Sequence, residues 1–318
     1  MTGERLHRTT YAVDVAAPAG VVYGLIADTT QWPLFVPPSI HVERLDFDGT
    51  RDRFQMWVTA NGTVKSWLSH RILDARARRI DFHHEVPAGP STSLGGRWTV
   101  EPMGAESSRL TLDHEFTVAE DRPEDATWVE RATDSNSRTE LERLKECAER
   151  WTRLDALTLS FEESVRLKGP AELVHDFLYG IADWPGRVPH VLRADVAEER
   201  SGIQVVRMDT VSDNGTAQTT EAVRVCFPHA LRIVHKQTAT PLLLEAHTGE
   251  WSVIPDTTGV TAVAQHSVLL REEAIEPVLG RGTSIAEART HVRELLGAQS
   301  RTVLNLAKRH AESAIRTL

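Results

Sequence analysis

The stretch Ala60-Asn-Gly-Thr-Val-Lys-Ser-Trp-Leu-Ser-His-Arg71 decides how the rest of the chain is read. Asn61-Gly62 signals a tight hairpin, because both residues accept the positive φ that a primed two-residue turn requires. Side chains alternate along a strand, so Lys65, Trp67, Ser69 and Arg71 share one face and Val64, Ser66, Leu68 and His70 the other. Turned toward a cavity, the first face offers a flat apolar wall, a small hydroxyl and a fixed cationic fork. Turned outward, the same residues make a solvated surface with one exposed indole. Taken alone, the strand fits both.

The second half of the chain repeats the stretch, and the repeat favours the inward reading. Asp213-Asn214-Gly215-Thr216 recurs 153 positions later, and Arg224 follows Asn214 by ten residues, as Arg71 follows Asn61. Pro18 precedes Trp32-Pro33 by fourteen residues, and Pro170 precedes Trp184-Pro185 by the same number. Arg79-Ile80 matches Arg232-Ile233, and Trp98-Thr-Val-Glu-Pro102 matches Trp251-Ser-Val-Ile-Pro255. An offset of 152 or 153 held over so much of the chain marks duplication of a whole domain. Solenoid periods are far shorter, about 20–50 residues. The expected domains are 1–155 and 156–318.

Composition narrows the function classes. The 318 residues suit two ordinary domains, and 41% hydrophobic with 25% charged content is globular. The net charge of −9 divides into −6 and −3 between the halves. Neither half has the basic excess of a nucleic-acid binder. No apolar run approaches the ~18 residues of a membrane span. The start, Met1-Thr-Gly-Glu-Arg-Leu-His-Arg8, has no apolar core and does not read as a secretory signal. The two cysteines, Cys147 and Cys226, stand at non-equivalent places in the repeats, which argues against a duplicated disulfide and for a reducing, cytoplasmic setting.

In chain order, Thr9–Val15 alternates as a first strand, and Ala17-Pro18 opens a helix with Val22, Leu25 and Ile26 in a stripe. Three prolines between Asp28 and Pro38 break it and favour a second short, bent element. Six further strands follow, then a helix from about Glu130 to Trp151 with Leu141, Leu144, Cys147, Ala148 and Trp151 on one face. The second half repeats this plan. Its last helix opens with the capping box Ser284-Ile-Ala-Glu287 and carries Gly297 as a weak point. The expected class is α+β: in each half, a curved antiparallel sheet around a long C-terminal helix. Such a wrap leaves a cavity, commonly apolar with a few placed polar groups.

At Trp32-Pro33, Trp67-Leu-Ser-His-Arg71 and Trp98 behind Gly95-Gly-Arg97, the chain resembles the aromatase/cyclases of bacterial type II polyketide synthases. These belong to the helix-grip (START/Bet v 1-like) superfamily, and the tandem form resembles its di-domain members. The resemblance implies a cofactor-independent enzyme. It would take a phosphopantetheine-linked poly-β-ketone from an acyl carrier protein, alongside other synthase components, close the first ring by intramolecular aldol condensation, and dehydrate it to an aromatic ring. On that reading Arg71 holds an enolate or ketone oxygen, and Ser69 hydrogen-bonds a neighbouring oxygen. Trp32, Trp67 and Trp98 with Lys65 line the pocket and order the chain, and His84 and His114 carry protons. One departure is Pro37-Pro38-Ser39, which stands where single-domain relatives have a tyrosine.

The second half is expected to differ. Arg224 keeps the cation and Trp184 and Trp251 the walls, while Thr220 replaces Trp67, Ala222 replaces Ser69, Gln237 replaces His84 and Ser267 replaces His114. That pairing gives the second pocket fewer protonatable groups. The histidines lack a metal-ligand spacing, and no Gly-x-Ser-x-Gly nucleophile elbow occurs. A tandem carrier for a hydrophobic metabolite or lipid is the competing reading of the same scaffold.

Overall fold

A computed structural model describes residues 5–60, 62–87, 89–211 and 215–315. The chain forms two compact units, Met1–Leu154 and Asp155–Leu318.

The first unit runs β1 (His7–Val15), α1 (Ala19–Ala27), α2 (Trp32–Phe35), β2 (Ser39–Phe47), β3 (Arg51–Ala60), β4 (Thr63–Asp74), β5 (Arg79–His84), β6 (Ser91–Gly104), β7 (Ser107–Val118) and α3 (Pro123–Glu149). Its seven-stranded antiparallel sheet has the order β1-β7-β6-β5-β4-β3-β2, so the first strand pairs with the last. Along β7, Leu110, Leu112 and Phe116 are wholly buried while intervening residues are not, the period-two pattern of a sheet with one packed face. Helix α3 lays Leu141, Leu144, Cys147 and Ala148 into the concavity. It begins seven residues before the expected Glu130. Trp151 is not on its apolar face: it opens a separate short helix, α4 (Trp151–Leu157), and is 41% exposed. Asn61 of the hairpin lies outside the described residues, and its neighbour Gly62 has φ +74°, the left-handed region such a turn uses.

The second unit repeats the order: β8 (Thr158–Leu167), α5 (Ala171–Tyr179), β9 (Val191–Arg200), β10 (Ile203–Val211), β11 (Ala217–Phe227), β12 (Arg232–Ala239), β13 (Leu244–Asp256), β14 (Gly259–Leu270), α6 (Ile275–Leu279) and α7 (Ile285–Ile315). Its sheet order is β8-β14-β13-β12-β11-β10-β9. The architecture is therefore two tandem helix-grip domains, each a seven-stranded sheet packed on a long helix. The capping box forms: Ser284 N–H donates to Glu287 Oε2 at 2.8 Å, and Glu287 N–H to Ser284 Oγ at 3.2 Å. Gly297 does not interrupt α7. A Cβ there would sit 2.8 Å from Glu163 Oε1, which is bonded to Arg301 Nη1 at 2.7 Å. Glycine is the residue that lets this carboxylate approach the helix. Asp213 and Asn214 of the second hairpin lie outside the described residues.

Candidate functional site

Register sets the inner face of the first sheet. Asp52 pairs with Arg71, Arg71 with Phe82, Phe82 with Gly96, Gly96 with His114, and His114 with Thr9, giving one row across five strand boundaries. The next row toward the strand ends carries Phe54, Ser69 and His84. Strand β5 stops at His84, so Ser91–Leu94 of β6 pairs with β7 alone. Beside that gap lies a hollow of ≈490 Å³ whose inner lining includes Thr9, Phe82, His84, Leu94, Gly96 and His114. Most of its lining, including Arg8, Asp81, His83, Arg97, Asp113 and Glu115, is of opposite strand parity, so the hollow opens widely to the exterior through the gap beside β5.

His84 and His114 face this hollow. Burial pushes both imidazoles down to about 4, so both are neutral at pH 7. His114 Nε2 lies 3.0 Å from Ser137 Oγ on α3, and among the described residues His114 Nδ1, His84 Nδ1 and Trp67 Nε1 have no hydrogen-bond partner. The ring of Trp67 stands 5.3 Å from that of His84. Unsatisfied buried polar atoms are uncommon and carry a desolvation cost. His84 and His114 line the hollow, whereas Trp67 packs against the core beside it.

Arg71 is buried, but not as a free oxyanion donor. Its Nε donates to Asp52 Oδ1 at 3.0 Å, Nη2 donates to Asp52 Oδ2 at 2.5 Å and to the Ala27 carbonyl at 2.7 Å, and Nη1 donates to the Ile26 carbonyl at 2.9 Å. Four of its five N–H groups are thereby engaged, and it is absent from the lining of the hollow. The expectation of a guanidinium presented to a ligand is revised: Arg71 clamps the C-terminal carbonyls of α1 to β3. The expectation of Trp32 and Trp98 as pocket walls is revised likewise. Trp32 is 7% exposed and donates Nε1–H to the Leu25 carbonyl at 3.1 Å, and Trp98 is 3% exposed in the same core cluster. Ser69 is buried opposite His84. Lys65 is exposed and does not line a pocket interior, because it lies at the solvated hairpin end of β4.

The second domain holds a smaller, open-sided cavity, ≈120 Å³, lined by Trp184, Thr220, Arg224, Gln237 and Trp251 together with His235, His247, His266 and Ser300. Arg224 donates to the Gln204 Oε1 at 2.6 Å and to the carbonyls of Leu178 (2.5 Å) and Tyr179 (3.3 Å). It clamps α5 as Arg71 clamps α1, but with a neutral partner where the first domain has Asp52. Burial pushes it down to about 10, partly offset by Cys226, Tyr179 and Glu198 nearby, so it is still protonated at pH 7. Trp184 Nε1 donates to the Phe177 carbonyl at 3.1 Å, repeating the Trp32 anchor.

Two expectations about this domain are corrected. Ser267 is not the counterpart of His114. The row runs Arg224–His235–Gly249–His266, so His266 takes that position, and Ser267 points the other way, 3.1 Å from Ser160 Oγ. A single residue of offset, 152 against 153, moves a side chain to the opposite face. Nor is the pocket poorer in protonatable groups, since it holds three imidazoles that sequence reasoning passed over, His247 and His266 buried and His235 half-buried. Their signal was present: His235, His247 and His266 share the inward parity set by Arg224, Trp251 and the register.

A seven-stranded sheet gripping a long helix, with a partly polar hollow in each of two copies, defines a tandem ligand-binding enzyme or carrier scaffold. Comparison with known proteins narrows this. Residues 7–149 match the family "Polyketide cyclase / dehydrase and lipid transport". The granaticin polyketide synthase bifunctional cyclase/dehydratase of Streptomyces violaceoruber is 34% identical over 97% of this chain and 95% of its own. The actinorhodin counterpart of Streptomyces coelicolor is 34% identical over 97% and 96%. Among solved structures, the di-domain aromatase/cyclase BexL of the BE-7585A biosynthetic pathway superposes with a TM-score of 0.87 at 43% identity, covering 96% of this chain and 99% of that one. StfQ of the steffimycin pathway gives 0.84 at 34%, with the same coverage. The chain belongs to the di-domain aromatase/cyclases, the bifunctional polyketide cyclase/dehydratases of type II polyketide synthases. No helix among the described residues is long and apolar enough to cross a membrane.

Proposed function

We propose that the protein folds a poly-β-ketone tethered to an acyl carrier protein within its N-terminal domain and directs closure of the first ring by aldol condensation, with dehydration to the aromatic ring following. The observation that supports this reading best is the pair of neutral imidazoles, His84 and His114, with unpartnered Nδ1 atoms in one open hollow. A neutral imidazole is the form that can take a proton from the acidic CH₂ between two ketones, and the imidazolium so formed can protonate the aldol oxygen. Trp67, whose ring stands 5.3 Å from that of His84, backs the His84 imidazole and does not itself line the hollow. Ser69 lies opposite His84, within the same patch. Arg71 is a positioning residue on this reading, fixing α1 against the sheet that carries the site.

A carrier would need no proton-transfer groups in its hollow, and the two imidazoles favour the enzyme. The test is product profiling in a reconstituted synthase with wild-type protein, with His84→Gln, which places the residue the second domain uses at that position, and with His114→Ala. Poly-β-ketones cyclise spontaneously, so total turnover should persist while the single regiospecific product gives way to mixed shunt products. An unchanged product distribution in both variants would overturn the assignment.

A further inference from the structure

We infer that the C-terminal domain is a second catalytic site, in which His247, His266 and Ser300 form a proton relay that dehydrates a single β-hydroxy-ketone ring. The inference rests on the reading above, because the first domain must supply that ring.

Three observations on the second domain carry it. The relay is continuous: His247 Nε2 lies 2.9 Å from His266 Nδ1, and His266 Nε2 lies 2.7 Å from Ser300 Oγ. Both its ends line the same cavity. His247 is 4% exposed, and its Nδ1 has no partner among the described residues. The first domain lacks this device, because Leu94 occupies the position of His247; there the chain is cut to His114 and Ser137.

Cavity size selects the ligand class. Its inner space of about 120 Å³ is close to the ~150 Å³ of a cavity that binds benzene, while its open side leaves the remainder of a longer chain outside. It matches one six-membered ring. The walls are Trp184 and Trp251, whose rings meet edge-on at 6.3 Å, and the cation is Arg224.

The step balances without a cofactor. His266 Nε2–H donates to Ser300 Oγ and His247 Nε2–H to His266 Nδ1, which leaves the Nδ1 lone pair of His247 free. That lone pair takes the proton from the ring carbon α to the ketone, and Arg224 offsets the charge of the enolate. Each proton then shifts one place along the relay, and Ser300 releases its own hydroxyl proton to the departing β-hydroxide. The Cβ–O bond breaks, the C=C bond forms and water leaves. The serine oxygen, now holding the proton passed on by His266, returns to its starting state once the relay resets. Burial keeps the imidazoles neutral: His235 is pushed down to about 3 and His266 to about 4.

The full-length protein is incubated with 3-hydroxycyclohexanone, and formation of cyclohexenone is followed by its ultraviolet absorbance. Wild type should accelerate it, and His247→Leu and Ser300→Ala should each lose a factor on the order of 100 or more. His247→Leu installs the residue that the sister domain tolerates at this position, and Ser300→Ala covers the case in which the first variant misfolds. In a reconstituted synthase, His247→Leu should accumulate a cyclised product one water heavier, with unchanged regiochemistry. No acceleration by wild type, or full activity in both variants, overturns the inference. Scrambled regiochemistry with wild-type protein would instead refute ring closure in the first domain, so the two failures are distinguishable.

Discussion

Replacing Arg71 by alanine should unfold the first domain rather than merely silence it. The guanidinium and the Asp52 carboxylate are 2% and 1% exposed, so removing the cation strands a buried charge. Breaking one partner of such a pair costs about 3–5 kcal/mol. The carbonyls of Ile26 and Ala27 lose their donors as well, at roughly 1–3 kcal/mol each where water cannot replace them. The sum, roughly 5–11 kcal/mol, rivals the whole stability of a domain, about 5–15 kcal/mol. The double variant Arg71→Met with Asp52→Leu removes both charges, keeps apolar volume and leaves only the carbonyls unmet. It should therefore be more stable than either single variant. Hydrogen exchange read on peptides covering α1 and β4 assigns the effect to the first domain, and urea unfolding supplies the coupling energy, expected to be several kcal/mol. A loss below about 1 kcal/mol for Arg71→Ala, or simple additivity in the double variant, would refute the clamp. A folded double variant that retained the regiospecific product would show that the guanidinium positions the site without touching the substrate.

Acid should destabilise the protein in a definite window. His84, His114 and His266 each titrate near 4 when folded, against 6.5 for a free imidazole, so the unfolded chain binds more protons between those limits. Stability from these groups is complete above pH 6.5 and falls as pH drops toward 4, by at most about 3 kcal/mol per imidazole, which chemical denaturation at stepped pH would measure. Gly96→Ala should abolish folding of the first domain, because its Cβ would fall 2.0 Å from the Asp113 carbonyl and 2.7 Å from the Phe82 ring; circular dichroism melting would show whether the transition survives. Cys147 and Cys226 are buried, and burial pushes the Cys226 thiol up to about 11, so thiol-reactive dyes should label neither before unfolding. Ser284→Ala should cost about 1 kcal/mol by removing the cap of α7, read as a shift in urea midpoint.

The duplication, the strand order and the long helices were legible because they rest on periodicity and on matched Pro, Trp and Asn-Gly positions spaced along the chain. The inwardness of Arg71 was legible too, but its partner was not. Asp52 reaches Arg71 only through the β3–β4 register, and no local pattern distinguishes a carboxylate in a clamp from one in solvent. The same limit hid the buried imidazoles of the second domain. Aligning the halves by a fixed offset put Ser267 where His266 stands, and a strand reads oppositely after a slip of one. Sequence spacing locates an element to within a residue; the chemistry of its face needs that last residue right.

The β1–β7 pairing has a consequence during synthesis. His7 must wait for Phe116 before its edge of the sheet can close, and β8 waits as long for β14, so one nascent chain holds two unpaired strands that each have two candidate mates. The outward-facing polar contacts differ between the right and wrong pairings. In the native pairing Arg8 faces Glu115 at 2.9 Å and Thr10 reaches Asp113 at 2.7 Å, whereas on β14 those places are held by Ser267 and Gln265. A swapped ribbon would forfeit its charge match, and the divergence of these outward residues lets a tandem repeat tell its own strands apart.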